Sequence, residues 1–208
     1  MVDGTTGVVV AIVDESGQRS MMTDRGANSA LSVSHVREAL NEPFDHLHVS
    51  GYCVLDDATR DVAAVALGLA RERQRTSSID VCSVGPLRRV TADVFAATVR
   101  GATTLFANEE EAMTLSGALS LDAALERLGE DYREVVVTRG GDGAVARENG
   151  ENRFTPSLRR HVLDTTGAGD AATGAYLAAR LAGRDVAEAL DQAMRASADV
   201  VGGLGSRG

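Results

Sequence analysis

The sequence predicts an α/β fold, a mainly parallel sheet flanked by helices, with the remnant of a small β lid at its start. Three observations carry this. Short apolar runs rich in Val and Ile alternate with amphipathic stretches of helical period, the pattern of parallel strands covered by helices. The first 25 residues instead read as a hairpin, two strand-like runs split by turn residues. With 208 residues and 44% hydrophobic residues, the chain is long enough for one sizeable core and is neither disordered nor membranous in composition.

In chain order, residues 7–14 and 19–23 form the predicted hairpin around Glu15-Ser16-Gly17-Gln18. Strand-like Leu47–Ser50 leads to a helical pattern from about Asp57 to Arg73. A strand at 78–84, a helix near 91–99 and a strand at 103–107 come next. Helical turns cover 109–116 and 121–129, followed by the strand Glu134–Thr138. Residues 143–148 and 152–155 flank Glu148-Asn149-Gly150 as a second hairpin. Arg160–Leu163 reads as a short strand, an Ala- and Leu-rich helix runs to Gly183, and a last helix covers about 185–201. There are no repeats, low-complexity tracts or linkers, so one domain over 1–208 is expected, with the partial lid hairpin inside residues 1–28.

Composition excludes several function classes. A net charge of −9 argues against nucleic acid and anionic membranes as partners, while local backbone dipoles still allow phosphate ligands. No apolar run reaches transmembrane length and the first residues lack a basic signal-peptide segment, so a cytoplasmic location is expected. Cys53 and Cys82 have no metal-type spacing and are expected as buried free thiols. Of His35, His46, His48 and His161, only His46 and His48 share a strand, where a structural role is the expectation.

The chemistry concentrates in Asp164-Thr165-Thr166-Gly167-Ala168-Gly169-Asp170. A strand, a glycine turn and a helix start make an anion cradle, because first-turn N–H groups lack intrahelical partners and the helix dipole is positive there. Asp170 stands at the mouth of that cradle, where a carboxylate accepts a proton from an attacking hydroxyl. The same residues also fit a plain turn with an acidic first-turn residue. In open α/β sheets ligands bind at the C-terminal ends of strands, and Ser50-Gly51-Tyr52, Asn108, Thr138–Gly140 and Gly167–Asp170 each follow a strand. Asn108 and Glu111, three apart, share a helix face and equally fit an N-cap in an acidic first turn.

The turn around Gly167–Asp170 resembles the C-terminal signature of the ribokinase, or PfkB, family of sugar kinases. Thr6-Gly7, Val13-Asp14 with Gly17, and Gly26-Ala27-Asn28 resemble its lid region. Asn108-Glu109-Glu110-Glu111 resembles its Asn-x-x-Glu motif, and Thr138-Arg139-Gly140-Gly141-Asp142-Gly143 its Thr-x-Gly-x-x-Gly nucleotide loop. The resemblance implies a ribokinase-like fold and an ATP-dependent phosphotransferase acting on a hydroxymethyl group of a small sugar or sugar-like alcohol. Asp170 would be the base and Gly167, Ala168 and Gly169 the anion hole. Asn108, Thr138, Gly140 and Gly143 would line the nucleotide site, with Met194 against adenine or in the core. Glu111 would hold magnesium through water, Asp164 and Thr166 a potassium ion, and Asn28 and Gly51 would face the sugar. A homodimer through the lid is the implied assembly.

The resemblance fails at one point. The family's sugar-gripping Asn-x-Gly-Gly segment has no counterpart, since the paired glycines are Gly140-Gly141 and Gly202-Gly203. By that comparison the chain begins midway through the lid, on the order of a hundred residues short, and leaves an open sheet edge. Two other readings therefore stand: a nucleotide-binding fragment or interaction module without turnover, and a kinase for a nucleoside or vitamin precursor.

Overall fold

The computed structural model describes residues 4–13, 19–158 and 165–201. The lid is a two-stranded antiparallel sheet of β1 (Val8–Val13) and β2 (Arg19–Asp24), in register from Val8 opposite Asp24 to Val13 opposite Arg19. The predicted Asp14 and Gly17 of this region, and the predicted strand Arg160–Leu163, lie outside the described residues.

The second sheet has six strands in the order of the sequence. These are β3 (His46–Ser50), β4 (Thr76–Asp80), β5 (Thr104–Asn108), β6 (Glu134–Thr138), β7 (Ala144–Glu148) and β8 (Glu151–Thr155). Strands β3 to β6 are parallel, and β7 and β8 return antiparallel as the expected second hairpin. The predicted mainly parallel sheet is present, with β3 at its edge among the described residues.

Strand alternation sends successive side chains to opposite faces. On one face Val49, Ile79, Leu105, Val135 and Val137 are buried under α2 (Arg60–Glu72), α3 (Val84–Val90), α4 (Ala92–Thr98), α5 (Glu109–Ser116) and α6 (Leu121–Asp131). On the other face Phe106 and Val136 pack against α7 (Ala168–Leu181) and α8 (Val186–Val201). The α7 face turns polar toward β3, where Ser78 hydrogen-bonds both His46 and His48 at 2.8 Å, the structural role expected for these histidines.

Two helices escape the sequence pattern. One is α1 (Val33–Ala39), a seven-residue helix started by Ser32, whose hydroxyl accepts from the His35 N–H. The other is α3, where strand was expected up to residue 84. The strand ends at Asp80 instead, because Cys82 takes a left-handed backbone (φ 70°) and Val84 opens a helix. Pro86 looks like a breaker in sequence, yet it stands in the first turn, where no N–H is needed.

At the start of β6, Glu134 is buried and accepts from the Tyr176 hydroxyl at 2.9 Å and from Arg180 at 2.8 Å. Arg180 also reaches Glu148 of β7 at 2.6 Å. Removing one partner from such a pair leaves an uncompensated charge and costs about 3 kcal/mol. The network pins the C-terminal half of α7 to the sheet, and the Phe106–Tyr176 edge-to-face contact (5.6 Å between ring centres) adds packing above it.

Candidate active site

Parallel register brings the motif residues to one edge. Ser50 lies opposite Asp80, Asp80 opposite Phe106, and Asn108 opposite Thr138. Counting by twos along each strand, Ser50, Asp80, Asn108 and Thr138 share the face that α7 covers. Asp170 stands at the N-terminal end of that helix. Its negative charge is felt by His48, Tyr52 and Asp80, so the helix start and the strand ends meet at one place.

Gly167 caps α7 with a left-handed backbone (φ 82°) that a side chain would strain. The Ala168 N–H donates to the Thr165 carbonyl at 3.3 Å and the Ala171 N–H to Gly167 at 2.8 Å. Among the described residues the N–H groups of Gly169 and Asp170 find no backbone carbonyl. They stand at the positive end of a 14-residue helix, and a Cβ on Gly169 would meet nothing within 4 Å. Thr166 is half-buried just before the turn, and Asp164, its expected companion, lies outside the described residues.

Asn108 and Glu111 form a reciprocal cap. The Glu111 N–H donates to Asn108 Oδ1 at 2.9 Å, and the Asn108 N–H donates to Glu111 Oε2 at 2.8 Å. The Asn108 side chain thus faces Glu111 from both ends of the cap, and its hydrogen bonding to the Glu111 carboxyl opposes the effect of burial there. Glu111 is 5% exposed. Burial pushes its carboxyl up to about 7, against the Asn108 N–H, which lowers it, and with the Asp80 and Glu110 charges, which raise it further.

Asp80 is the site residue that sequence reasoning passed over. It ends β4, and its Oδ1 accepts from the Cys82 N–H at 3.0 Å. Burial raises its carboxyl to about 6; the Cys82 N–H opposes this and the Asp170 charge adds to it. Thus Asp170 repels Asp80 and Asp80 repels Glu111. Such oxygen donors suit magnesium, which binds through one or two carboxylates and keeps waters. No set of three ligating side chains close enough to cage a metal occurs among the described residues.

The nucleotide-loop residues are set by close backbone approach. Gly143 (φ 96°) admits no side chain, since a Cβ would lie 2.1 Å from the Thr155 carbonyl oxygen. Gly140 (φ 55°) faces open space, and the Arg139 side chain ties the loop to Glu109 at 2.9 Å. Gly51 is also a packing glycine, with the Asp80 carbonyl oxygen 2.1 Å from where its Cβ would be. It is buried, so packing alone requires a glycine there, beside the sugar-facing role that the resemblance implies. Met194 is 6% exposed within the cluster between sheet, α7 and α8, as its core reading expects. Cys53 and Cys82 are free thiols, but half-buried rather than buried.

Between the lid and the sheet edge opens a cleft of about 1410 Å³. Asn28 and Asp24 line it from the lid side, and Tyr52 and Cys82 line it where it adjoins the carboxylates. Asp170 does not line this cleft; Tyr52, which senses Asp170, Asp80 and Glu111, marks the junction of the two.

The carboxylate repulsion has a measurable sign. Folded Asp80 and Glu111 hold protons more tightly than the unfolded chain, whose carboxyls titrate near 3.8 and 4.5. Stability from these groups is therefore full below those values and declines as pH rises toward about 6 and about 7. Without divalent cations, the melting midpoint of Asp80→Asn should fall less steeply between about pH 4 and pH 7 than that of the parent. Superimposable pH profiles would contradict the placement of Asp80.

Comparison with known proteins agrees with this geometry. The family of pfkB family carbohydrate kinases matches over residues 1–208. An ATP-dependent ribose-1-phosphate kinase of Halopiger xanaduensis is 30% identical over 206 residues, covering 98% of this chain and 64% of the relative. A 2-dehydro-3-deoxygluconokinase of Thermoproteus tenax is 30% identical over 85% of this chain and 55% of the relative. A crystal structure of a putative Ribokinase II from E. coli in complex with ATP and Mg+2 superposes with a TM-score of 0.85 at 26% identity, covering 95% of this chain and 66% of that one. The chain thus spans less than two thirds of the length of the two curated relatives. With its ribokinase-like fold and its motif residues gathered at one sheet edge, the chain belongs to the pfkB family of carbohydrate kinases.

Proposed function

We propose that the chain carries the nucleotide-binding and catalytic part of an ATP-dependent kinase that phosphorylates a hydroxymethyl group of a small sugar or sugar-like alcohol. The observation that carries this reading is the α7 turn: an aspartate beside N–H donors that find no backbone carbonyl among the described residues, near both a lidded cleft and a cluster of carboxylates.

Asp170 accepts the proton of the sugar hydroxyl as its oxygen attacks the γ-phosphorus. The new phosphorus–oxygen bond forms as the bond to the β-bridging oxygen breaks, and ADP leaves with that electron pair. The N–H groups of Gly169 and Asp170, over Gly167 and Ala168, hold the charge on the transferring group. The Asn108 amide, Thr138, Gly140 and Gly143 line the path of the nucleotide. Magnesium, when bound with ATP, neutralises phosphate charge, and Glu111 and Asp80 are the residues that would hold it. Thr166, with Asp164 before it in sequence, is the pair suited to a potassium ion. Asn28 would meet sugar hydroxyls in the cleft.

The exposed apolar side chains of the lid, Val8, Val10 and Ile12 at 49–55% and Met22 at 60%, are the surface through which a second copy would pair. Sedimentation should then show a concentration-dependent dimer that Ile12→Glu abolishes; a monomer at every concentration would refute it.

Asp170→Ala should lower ADP release by about 10²- to 10⁴-fold, with ATP affinity nearly unchanged. Comparable turnover in the variant would refute the assignment of the base. ATP binding without ADP release in the parent chain would favour the nucleotide-binding module instead.

A further inference from the structure

The cleft wall sorts its charges unevenly. Arg25 is held by Asp56 at 3.0 Å and donates to the Tyr52 carbonyl. Arg60 is held by Asp57 at 2.5 Å and donates to the Val54 carbonyl. That leaves one acid and one base on the wall with no ion pair among the described residues, Asp24 and Arg89. The Asp24 carboxylate accepts from the Gly26 N–H at 3.0 Å. Arg89 makes no hydrogen bond to any described residue.

The helix that carries Arg89 explains its direction. Ser83, Pro86, Arg89 and Val90 all line the cleft, spaced as one face of a helix. Leu87, by contrast, is buried in the core. The neighbouring Arg88 points elsewhere again and meets Glu110 of α5 at 3.3 Å. Two adjacent arginines at one helix end therefore differ: one is matched by a carboxylate, and the other is exposed to the cleft with its five donors unused.

We propose that Arg89 is a specificity residue for an anionic substrate, a sugar bearing a phosphate or a carboxylate, whose oxyanion it binds while the lid side meets the hydroxyls. This rests on the kinase reading of the same cleft. A guanidinium matches phosphate and carboxylate alike by paired N–H donors, so the shared chemistry is the oxyanion. In a protein of net charge −9, a cation left unmatched on a cleft wall is what separates an anionic sugar from a neutral one. The simpler role, complementing the negative end of α3, belongs to Arg88 and Arg89 equally, and this makes the two separable.

The test is calorimetric titration of the full chain with ribose 1-phosphate, with 2-dehydro-3-deoxygluconate and with ribose. At least one anion should bind tighter than ribose, and which one does so assigns phosphate or carboxylate. Arg89→Gln should weaken that binding by about tenfold to a hundredfold, and Arg88→Gln should leave it unchanged. Ribose binding as tightly as both anions, no binding of either anion, or equal losses in the two variants would each overturn the proposal. The titration needs no turnover. Anion binding in a chain that releases no ADP would refute the kinase reading alone, and ADP release with ribose as good a ligand as the anions would refute the anion site alone.

Discussion

The buried carboxylate of Glu134 fixes where the N-terminal end of α7 stands. It stands at the first residue of β6 and holds Tyr176 and Arg180 of α7 together. From Arg180 back to Asp170 is ten residues, or about 15 Å of helix at 1.5 Å per residue. The five residues of β6 cover about 16 Å at 3.3 Å each. A helix anchored at the start of β6 and running against it therefore brings Asp170 level with the strand's far end, where Thr138 and Asn108 stand in register. The α7 turn is located by a salt bridge at the other end of its helix.

The site then follows from parallel pairing. Neighbouring strands in register place equivalent residues side by side, so a polar residue ending each strand becomes a row of polar groups. The row is acidic, and Asp80 is repelled by Asp170 while Glu111 is repelled by Asp80. A fold that keeps such a repulsion places a negative, partly dry edge beside the first N–H groups of α7. Both halves suit a nucleotide that arrives with its metal: donors for the phosphate, oxygens for the cation.

Much of this was legible in the sequence, for physical reasons. The strands around Val49, Leu105 and Val136 are apolar runs because both faces are covered, and that period survives in any context. Gly167 and Gly143 mark positions where the backbone excludes a side chain, so their spacing carried the site. The short helices α1 and α3 were not legible: seven residues hold too few turns for a helical period, and Pro86 reads as a breaker. Asp80 was hidden because the strand was expected to run past it, and the left-handed Cys82 that ends the strand carries no glycine to announce itself. Gly51 and Met194 followed family position, and the structure shows the packing that each residue type serves there.

The central claim is that the α7 turn and the acidic strand edge together hold a magnesium nucleotide. Thermal melting of this chain with and without magnesium-ATP tests it most directly, because a ligand that binds only the folded state must raise the midpoint. The account predicts a cooperative transition that moves upward with magnesium-ATP and moves less with ATP in the presence of a chelator. A midpoint indifferent to the nucleotide, at saturating concentration and with magnesium present, would contradict it.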